Sequence, residues 1–130
     1  MPDNQRELIK YRLLNSAEVL LASKSYKDSI GRSYYAMFTA VRALLAKDGV
    51  DYSKHAGVIS YFQREYIKTQ KFEKKYSKYL SQAFQIRNNT DYADFFVVSF
   101  EDAREQADRA KEFLTAIEEF LKVKDIGENK

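Results

Sequence analysis

Residues 100–121 read FEDAREQADRAKEFLTAIEEFL, and the fold class follows from the spacing of the apolar residues in this stretch. Apolar positions recur in alternating steps of three and four, the repeat of a single stripe along an α-helix. They are Phe100, Ala103, Ala107, Ala110, Leu114, Ile117 and Leu121. Such a narrow stripe is typical of antiparallel bundles, and its small alanines permit close approach of a neighbouring helix. The stretch therefore predicts a long helix in an all-α bundle.

Two more long helices are predicted in the N-terminal part of the chain from the same periodicity. The first runs from about residue 4 to residue 23, with a core stripe of Ile9, Leu13, Ala17 and Leu20. The second opens with a predicted capping box of Ser25 and Asp28 and ends at Gly49, because Gly readily adopts the left-handed conformation found at helix C-termini. Its predicted core positions are Ile30, Tyr34, Met37, Val41 and Leu44.

A shorter helix and another long helix are predicted in the middle of the chain. Ser53 is the predicted N-cap of the shorter helix, whose core residues are Ile59, Phe62 and Tyr66. The long helix begins near Lys71 and carries a stripe of Tyr76, Leu80 and Ala83. A connection over residues 90–98 follows, and Ser99 with Asp102 then repeats the capping-box pattern. Because the apolar run FFVV at 95–98 has no second strand to pair with, we expect an extended connection that packs on the bundle or on a second subunit.

Together these segments predict an all-α antiparallel bundle of four long helices plus one shorter helix. We expect one domain over residues 1–130, with a core at 4–122 and a frayed tail at 123–130. The absence of Cys excludes disulfides and thiolate metal sites, and His55 is the only histidine, which excludes a multi-histidine metal site. No phosphate-binding Gly-rich loop or acidic metal pair is present, so we expect no cofactor. The polar start and the lack of a long apolar run predict a cytoplasmic protein without a membrane span.

Charge is distributed unevenly, although the net charge is only +3. Residues 54–87 hold eight basic and two acidic residues, whereas residues 101–119 hold seven acidic and three basic ones. This pattern fits a basic half that faces an anion, and it equally fits opposite charges that meet inside a bundle or a dimer. In the stretch KTQKFEKKYSKY (68–79) we expect the aromatic residues to face the core. Its lysines are either solvated or an RNA-facing stripe, and they are Lys71, Lys74, Lys75 and Lys78.

Arg87 takes the next position on the stripe of the fourth helix, within the stretch QIRNNTDYADF (85–95). An inward-facing guanidinium requires a partner, because an unpaired buried charge is very costly. Asp91 lies four residues later and would be such a partner if the helix continues, with Asn88 or Asn89 ending it. Alternatively, Arg87 faces a cleft and binds a phosphate through its planar fork. Spacing alone favours the ion pair.

Four stretches of this chain resemble, in order and spacing, the HEPN family (higher eukaryotes and prokaryotes nucleotide-binding). They are SYYAMFTAVRALLAKDG (33–49), SKHAGVISYF (53–62), RNNTDY (87–92) and AREQADRAKEFLTAIEEFL (103–121). The resemblance implies an up-and-down bundle of four to five helices, usually a homodimer, found in prokaryotic toxin–antitoxin and defence systems beside a small nucleotidyltransferase. Many relatives are metal-independent ribonucleases whose signature is an Arg, commonly followed by Asn, and then a His that is separated from the Arg by four to six residues.

The signature is only partly present in this chain. Arg87 and Asn88 match its opening, but the positions where His is expected hold Tyr92 through Asp94. With an unperturbed pKa of about 10, Tyr92 is a poor general base at neutral pH. His55 replaces the missing His only if the fold brings it near Arg87, and a polar residue in the first turn of a helix is usually structural.

Three functions remain open on this basis. The first is a dimeric module that binds RNA or a nucleotide through Arg87, Asn88 and the lysines, beside a nucleotidyltransferase partner. The second is an active endoribonuclease toxin, in which Tyr92, Asp91 or His55 substitutes for the usual His. The third is a helical adaptor in which Arg87 and Asp91 form a structural ion pair. We expect Tyr34, Tyr35 and Phe38 of the most recognisable motif to serve packing.

Overall fold

Five α-helices make up the described part of the chain, which in this computed structural model is the backbone of residues 2–92 and 98–128 and the side chains of residues 9–89 and 98–122. They are α1 (Pro2–Ala22), α2 (Tyr26–Lys47), α3 (His55–Phe62), α4 (Lys74–Tyr92) and α5 (Phe100–Glu128). Four of them are long and α3 is short. The predicted all-α bundle of four long helices and one shorter helix is confirmed.

Contacts between side chains fix the direction of each long helix. In α1 and α2 the Ser29 hydroxyl donates to the Ala17 carbonyl at 2.8 Å, and Arg32 donates to Ser16, so the two helices run antiparallel. Helices α4 and α5 are antiparallel as well, because their contacts pair early residues of one with late residues of the other: Lys75 with Glu112 and Gln82 with Arg109. Tyr11 with Glu118 and Glu18 with Arg104 show the same for α1 and α5. The connectivity is therefore up-and-down.

Helix α2 lies at the centre and contacts the other four helices. All five of its predicted core positions are fully buried: Ile30, Tyr34, Met37, Val41 and Leu44. The helix ends as predicted, with Asp48 as C-cap and Gly49 at a φ of 77°, a left-handed conformation that costs Gly little. The connection to α3 is held by the Asp48 carboxylate, which accepts hydrogen bonds from the phenols of Tyr61 (2.8 Å) and Tyr66 (2.5 Å).

Helix α5 buries most of its predicted stripe. Its small and aliphatic core residues are almost completely inaccessible: Ala103, Ala107, Ala110, Leu114 and Ile117. The prediction was wrong for Phe100, whose side chain is 46% exposed. Phe100 is the first residue of α5 and lies at the end of the bundle, where the ring of Tyr26 packs edge-on against it at 6.1 Å.

Helix α1 differs from its predicted stripe at the first position. Ile9 was expected in the core but is 47% exposed, whereas its neighbour Lys10 is 1% exposed. The buried positions include Lys10, Ala17 and Leu21, a helical repeat that starts from a lysine. Ala17 is fully buried and Leu13 packs against the core, as predicted. The prediction was wrong for Ile9, because a lysine, which seldom occupies a core position, is buried beside it.

Two of the predicted helix caps differ from those observed. Ser99 and Asp102 form the predicted capping box, in which each backbone N–H donates to the other side chain, at 3.3 Å and 3.1 Å. The Ser25 side chain makes no capping hydrogen bond, so the predicted box with Asp28 is absent. Lys54 rather than Ser53 is the N-cap of α3.

Both ends of α4 also differ from the prediction. The helix begins at Lys74, so Lys71 lies before it. Beyond α3 the chain continues as a π-helical segment, Gln63–Ile67, which takes up part of the sequence ahead of α4. At its other end α4 continues to Tyr92, so neither Asn88 nor Asn89 ends the helix and the connection starts later than residue 90.

Residues 95–97 of the expected extended connection lie outside the described residues. Val98 is buried and belongs to a small core cluster with Leu21, Ile30 and Ala103. The backbone of α5 is helical to Glu128, and the division into a core and a frayed tail stays a prediction.

Candidate functional site

Arg87 lies near the end of α4 and points toward α2, as its place on the stripe predicted. Its side chain is half-buried, and Nη2 donates a hydrogen bond to the Tyr35 hydroxyl at 2.7 Å. The guanidinium carbon is 5.2 Å from the centre of the Tyr35 ring and 6.0 Å from the centre of the Tyr34 ring. These distances allow a cation–π interaction with both rings. The positive charge is therefore held against an aromatic face of α2.

His55, the first residue of α3, lies against the same two tyrosines. Its Nδ1 is 2.7 Å from the Tyr34 hydroxyl, and its ring centre is 6.0 Å from that of Tyr35. Phe38 packs on the imidazole with 4.2 Å between ring centres. The structure thus brings Arg87 and His55 together around Tyr34 and Tyr35, although the four residues come from three helices. We refer to these four residues as the Arg87 cluster.

The surroundings of His55 lower its pKa. Burial is the largest cause, and the positive charges of Arg87 and then Arg42 act in the same direction. His55 is therefore neutral at pH 7. The pKa of Tyr34 is raised far above its ordinary value, mainly by burial and against the opposing effect of Arg87, so Tyr34 stays protonated.

The bond between His55 and Tyr34 allows two proton arrangements, since a hydroxyl both donates and accepts. If Nδ1 carries the proton, it donates to the Tyr34 oxygen and Nε2 has a lone pair. In that tautomer His55 is able to accept a proton from a bound group. A guanidinium that neutralises an anion and an imidazole that accepts a proton are the elements needed for chemistry at a phosphodiester.

Three other sequence-predicted residues follow Arg87 on α4. The side-chain oxygen of Asn88 lies 3.5 Å from Arg87 Nη1, at the outer limit of a hydrogen bond. Asp91 and Tyr92 belong to α4, but their side chains lie outside the described residues. An ion pair between Arg87 and Asp91 therefore stays a prediction.

The predicted lysine stripe lies toward the opposite end of α4. From Lys74 to Arg87 the helix rises by about 20 Å, so the structure does not bring the lysines to the Arg87 cluster. Lys75 makes ion pairs with Glu112 at 2.7 Å and Glu73 at 3.8 Å. The Lys71 ammonium lies 5.2 Å from the ring centre of Tyr66, while Lys74 and Lys78 are exposed.

Sequence reasoning missed the role of Tyr35. Tyr34 and Phe38 are buried as expected for packing residues, but Tyr35 is half-buried and its hydroxyl accepts from Arg87. No spacing along the chain indicated this contact, because it depends on how α4 packs against α2.

Two absences were found within the described residues. No three acidic or histidine side chains among them come together as a metal-binding group. None of the helices they form is both long and apolar enough to cross a membrane.

The sequence of this chain is similar to a known domain family and to several known proteins. The family model for the HEPN domain matches residues 11–120, a range that includes the whole Arg87 cluster. A protein of Thermotoga maritima named "UPF0332 protein" is 35% identical over 108 residues, which are 83% of this chain and 82% of that protein. A protein of Methanocaldococcus jannaschii named "putative toxin" is 32% identical over 118 residues, 89% of this chain and 80% of that protein. A Pyrococcus horikoshii relative is 43% identical over 70 residues, 54% and 49% of the two chains.

Proposed function

Because the chain belongs to the HEPN domain family, we propose that it is a nucleic-acid- or nucleotide-binding protein in which Arg87 binds a phosphate. One observation supports the proposal above all: the Arg87 guanidinium is fixed on the faces of two tyrosines and bonded to the hydroxyl of one. A planar fork that is held in one orientation suits the two oxygens of a phosphate. Because α2 already restricts the Arg87 side chain, this side chain loses less conformational entropy when a ligand binds.

The proposed setting is a prokaryotic toxin–antitoxin or defence pair. A relative from M. jannaschii carries the name "putative toxin", which supports this setting. We expect the chain to form a homodimer, to bind a small nucleotidyltransferase as its partner and to act in the cytoplasm. Sedimentation of the purified protein tests the dimer. Co-purification with a nucleotidyltransferase encoded beside it tests the partner, and a failure to co-purify would leave RNA binding as a separate question.

RNA binding is tested by titrating a labelled single-stranded RNA with the wild-type protein and with Arg87→Ala, and by measuring fluorescence anisotropy. We expect Arg87→Ala to weaken binding by about tenfold or more, the usual effect of losing a charge-assisted hydrogen bond. The matched control is Arg32→Ala, which removes an exposed arginine of α2 whose Nε donates to Ser16 of α1 at 3.3 Å. It should change the affinity much less.

The same titration separates binding from a structural role. If Arg87→Ala mainly lowers the melting temperature while the folded variant binds RNA as tightly as the wild type, the arginine is structural. That result would favour the helical adaptor over the RNA-binding function. A salt series adds a further check, because Lys74→Ala and Lys78→Ala should flatten the dependence of affinity on salt if these exposed lysines contact the RNA backbone.

A second candidate function, metal-independent RNA cleavage, is favoured by the position of His55. In this reaction the ribose 2′-oxygen attacks the adjacent phosphorus, and the bond from phosphorus to the 5′-oxygen breaks. His55 would take the 2′-hydroxyl proton, Arg87 would stabilise the charge on the phosphate, and the leaving 5′-oxygen would gain a proton from water. The products are a 2′,3′-cyclic phosphate and a 5′-hydroxyl end.

Cleavage is tested with RNA in the presence of a chelator. We expect wild-type protein to cut, and His55→Asn to bind RNA with unchanged affinity but to cut more than about a hundredfold slower, as for the loss of a general base. Tyr34→Phe, which keeps the ring, should reduce the rate less. If the purified wild type leaves RNA intact and its expression does not slow cell growth, the cleavage function is wrong and the binding function stands.

A further inference from the structure

A groove between α4 and α5, on the far side of α4 from Arg87, is lined mainly by polar side chains, among which carboxamides are the most frequent. Its volume is about 270 Å³, and Ile86 and the Arg109 guanidinium line it together with four carboxamides and two carboxylates: Gln82, Gln85, Asn89, Gln106, Asp102 and Glu105. We call it the amide groove. It is smaller than most sites for drug-sized ligands, which begin at about 300 Å³, so a single small ring system is the appropriate size of occupant.

Gln106 is the unusual member of this lining. The residue is only 3% exposed, and its side-chain oxygen has no hydrogen-bond partner. The oxygen of Gln82 in the same groove accepts a bond from Arg109 at 2.7 Å. A buried acceptor without a donor destabilises the folded chain, whereas a ligand that donates to it relieves this cost. The terminal torsion of a glutamine is soft, so the amide can turn toward such a ligand.

The charges of the groove determine which part of a nucleic acid can enter. Asp102 and Glu105 contribute two carboxylates, and Arg109 forms an ion pair with Glu105 at 2.5 Å. This balance disfavours a phosphate but suits a neutral group that donates N–H bonds. Carboxamides donate and accept side by side, which is the pattern that pairs with the amino group and ring nitrogen of adenine. Uracil has no amino group, and its one Watson–Crick donor, N3–H, lies between two carbonyl oxygens that the carboxylates of Asp102 and Glu105 disfavour.

The position of the groove fits a strand that also reaches Arg87. Along α4, Asn88 points about 100° and Asn89 about 200° away from Arg87. The groove and the Arg87 cluster therefore lie on opposite sides of one helix, with Asn88 between them. A helix with its side chains is about 10–12 Å across, a distance that a few nucleotides of single strand can span.

We propose that the amide groove binds one nucleobase that carries an exocyclic amino group, adenine above all, and that Gln106 accepts a hydrogen bond from this group. The proposal rests on the proposed function, because the base belongs to the same single-stranded RNA whose phosphate Arg87 binds. It adds a base preference to a phosphate contact that by itself carries no sequence information.

The test compares a labelled oligoadenylate with an oligouridylate of equal length by fluorescence anisotropy. We expect the wild type to bind the oligoadenylate at least about fivefold more tightly. Gln106→Met keeps the size of the side chain and removes the acceptor, so it should abolish this preference and leave the affinity for oligouridylate unchanged. Gln63→Met is the matched control, since Gln63 bonds to Ser77 and Ser81 outside the groove and its replacement should keep the preference.

Asn89→Ala provides a second variant in case Gln106→Met does not fold, because Asn89 is exposed and its loss should weaken only the adenine preference. Equal affinity of the wild type for both oligonucleotides, or a preference that survives in Gln106→Met and Asn89→Ala, would overturn the base site. In that outcome an Arg87-dependent affinity for both oligonucleotides would still support the phosphate contact. If the wild type binds neither oligonucleotide, the base site and the binding of single-stranded RNA both fail.

Discussion

Tyr34 and Tyr35 join Arg87 to His55. The Tyr34 hydroxyl bonds to the imidazole and its ring lies within 6.0 Å of the guanidinium carbon. The Tyr35 hydroxyl accepts from Arg87, and its ring is edge-on to His55. Because both tyrosines contact both residues, a change of charge at Arg87 alters the environment in which His55 titrates.

This coupling predicts that Arg87→Gln raises the pKa of His55. The positive charge of Arg87 is the second cause of the lowered pKa, after burial, so its removal should shift the pKa back toward the ordinary value of about 6.5. The chain has a single histidine, so its imidazole signals in a proton NMR titration are unambiguous. Arg42→Gln should act in the same direction with a smaller effect, because Arg42 is the third cause. An unchanged pKa in Arg87→Gln would contradict the coupling.

A second consequence of the lowered pKa is a dependence of stability on pH. Between the folded-state pKa and the unfolded value of about 6.5, the unfolded chain binds more protons at His55 than the folded chain does. Stability therefore rises with pH across this window and is lost as the pH falls through it. We expect the free energy of unfolding, from urea titrations between about pH 7 and pH 5, to fall more steeply in the wild type than in His55→Gln. Parallel slopes in the two proteins would show that His55 does not titrate in this way.

Individual helices show where sequence reasoning succeeded and where it failed. The stripe of α2 was predicted residue by residue, because its core positions are apolar and its end is marked by Gly49. The stripe of α1 was predicted wrongly at Ile9, which is exposed, because Lys10 takes the core position beside it. The N-terminal end of α4 was misplaced because the chain turns ahead of it at Gln70, whose φ of 64° is left-handed, and a glutamine gives no sequence signal for such a turn.

The candidate site was predictable only in part, for a related reason. Arg87 was identified from one helix, since its place on the stripe of α4 depends on local periodicity alone. Its proximity to His55 depends on how α2, α3 and α4 pack together, and no spacing along the chain specifies that contact. The contact of Tyr35 with Arg87 was not predictable for the same reason, because the Tyr35 hydroxyl accepts from Arg87 across the interface between α2 and α4.

The two predicted capping boxes lead to a paired prediction. Ser99→Ala should lower the free energy of unfolding by about 1 kcal/mol, because it removes the hydrogen bond to the Asp102 backbone N–H at the start of α5. Ser25→Ala should change it by less than about 0.5 kcal/mol, since the Ser25 side chain makes no capping bond. Urea denaturation of both variants measures the difference. Equal losses would mean that the two caps do not differ in solution.

Two clusters of buried residues form the core of the described part of the chain. The larger cluster draws buried residues from α2, α3, α4 and α5, and includes Met37, Phe62, Leu80 and Phe113. The bundle places α4 between the Arg87 cluster on one side and the amide groove on the other. Both sites therefore depend on the position of α4 against the pair formed by α2 and α5.

The close approach of α2 and α5 predicts a large effect for an added side chain at the small residues of α5. Ala110 is fully buried in the main core cluster, so Ala110→Leu must displace its neighbours and should cost about 1–3 kcal/mol of stability. Lys111→Leu adds a leucine at the adjacent, exposed position of the same helix and should stay within about 0.5 kcal/mol of the wild type. Urea denaturation of both variants, with unchanged m-values, measures the two losses. If Ala110→Leu is no more destabilising than Lys111→Leu, then α5 does not pack against α2 as closely as its buried alanines indicate.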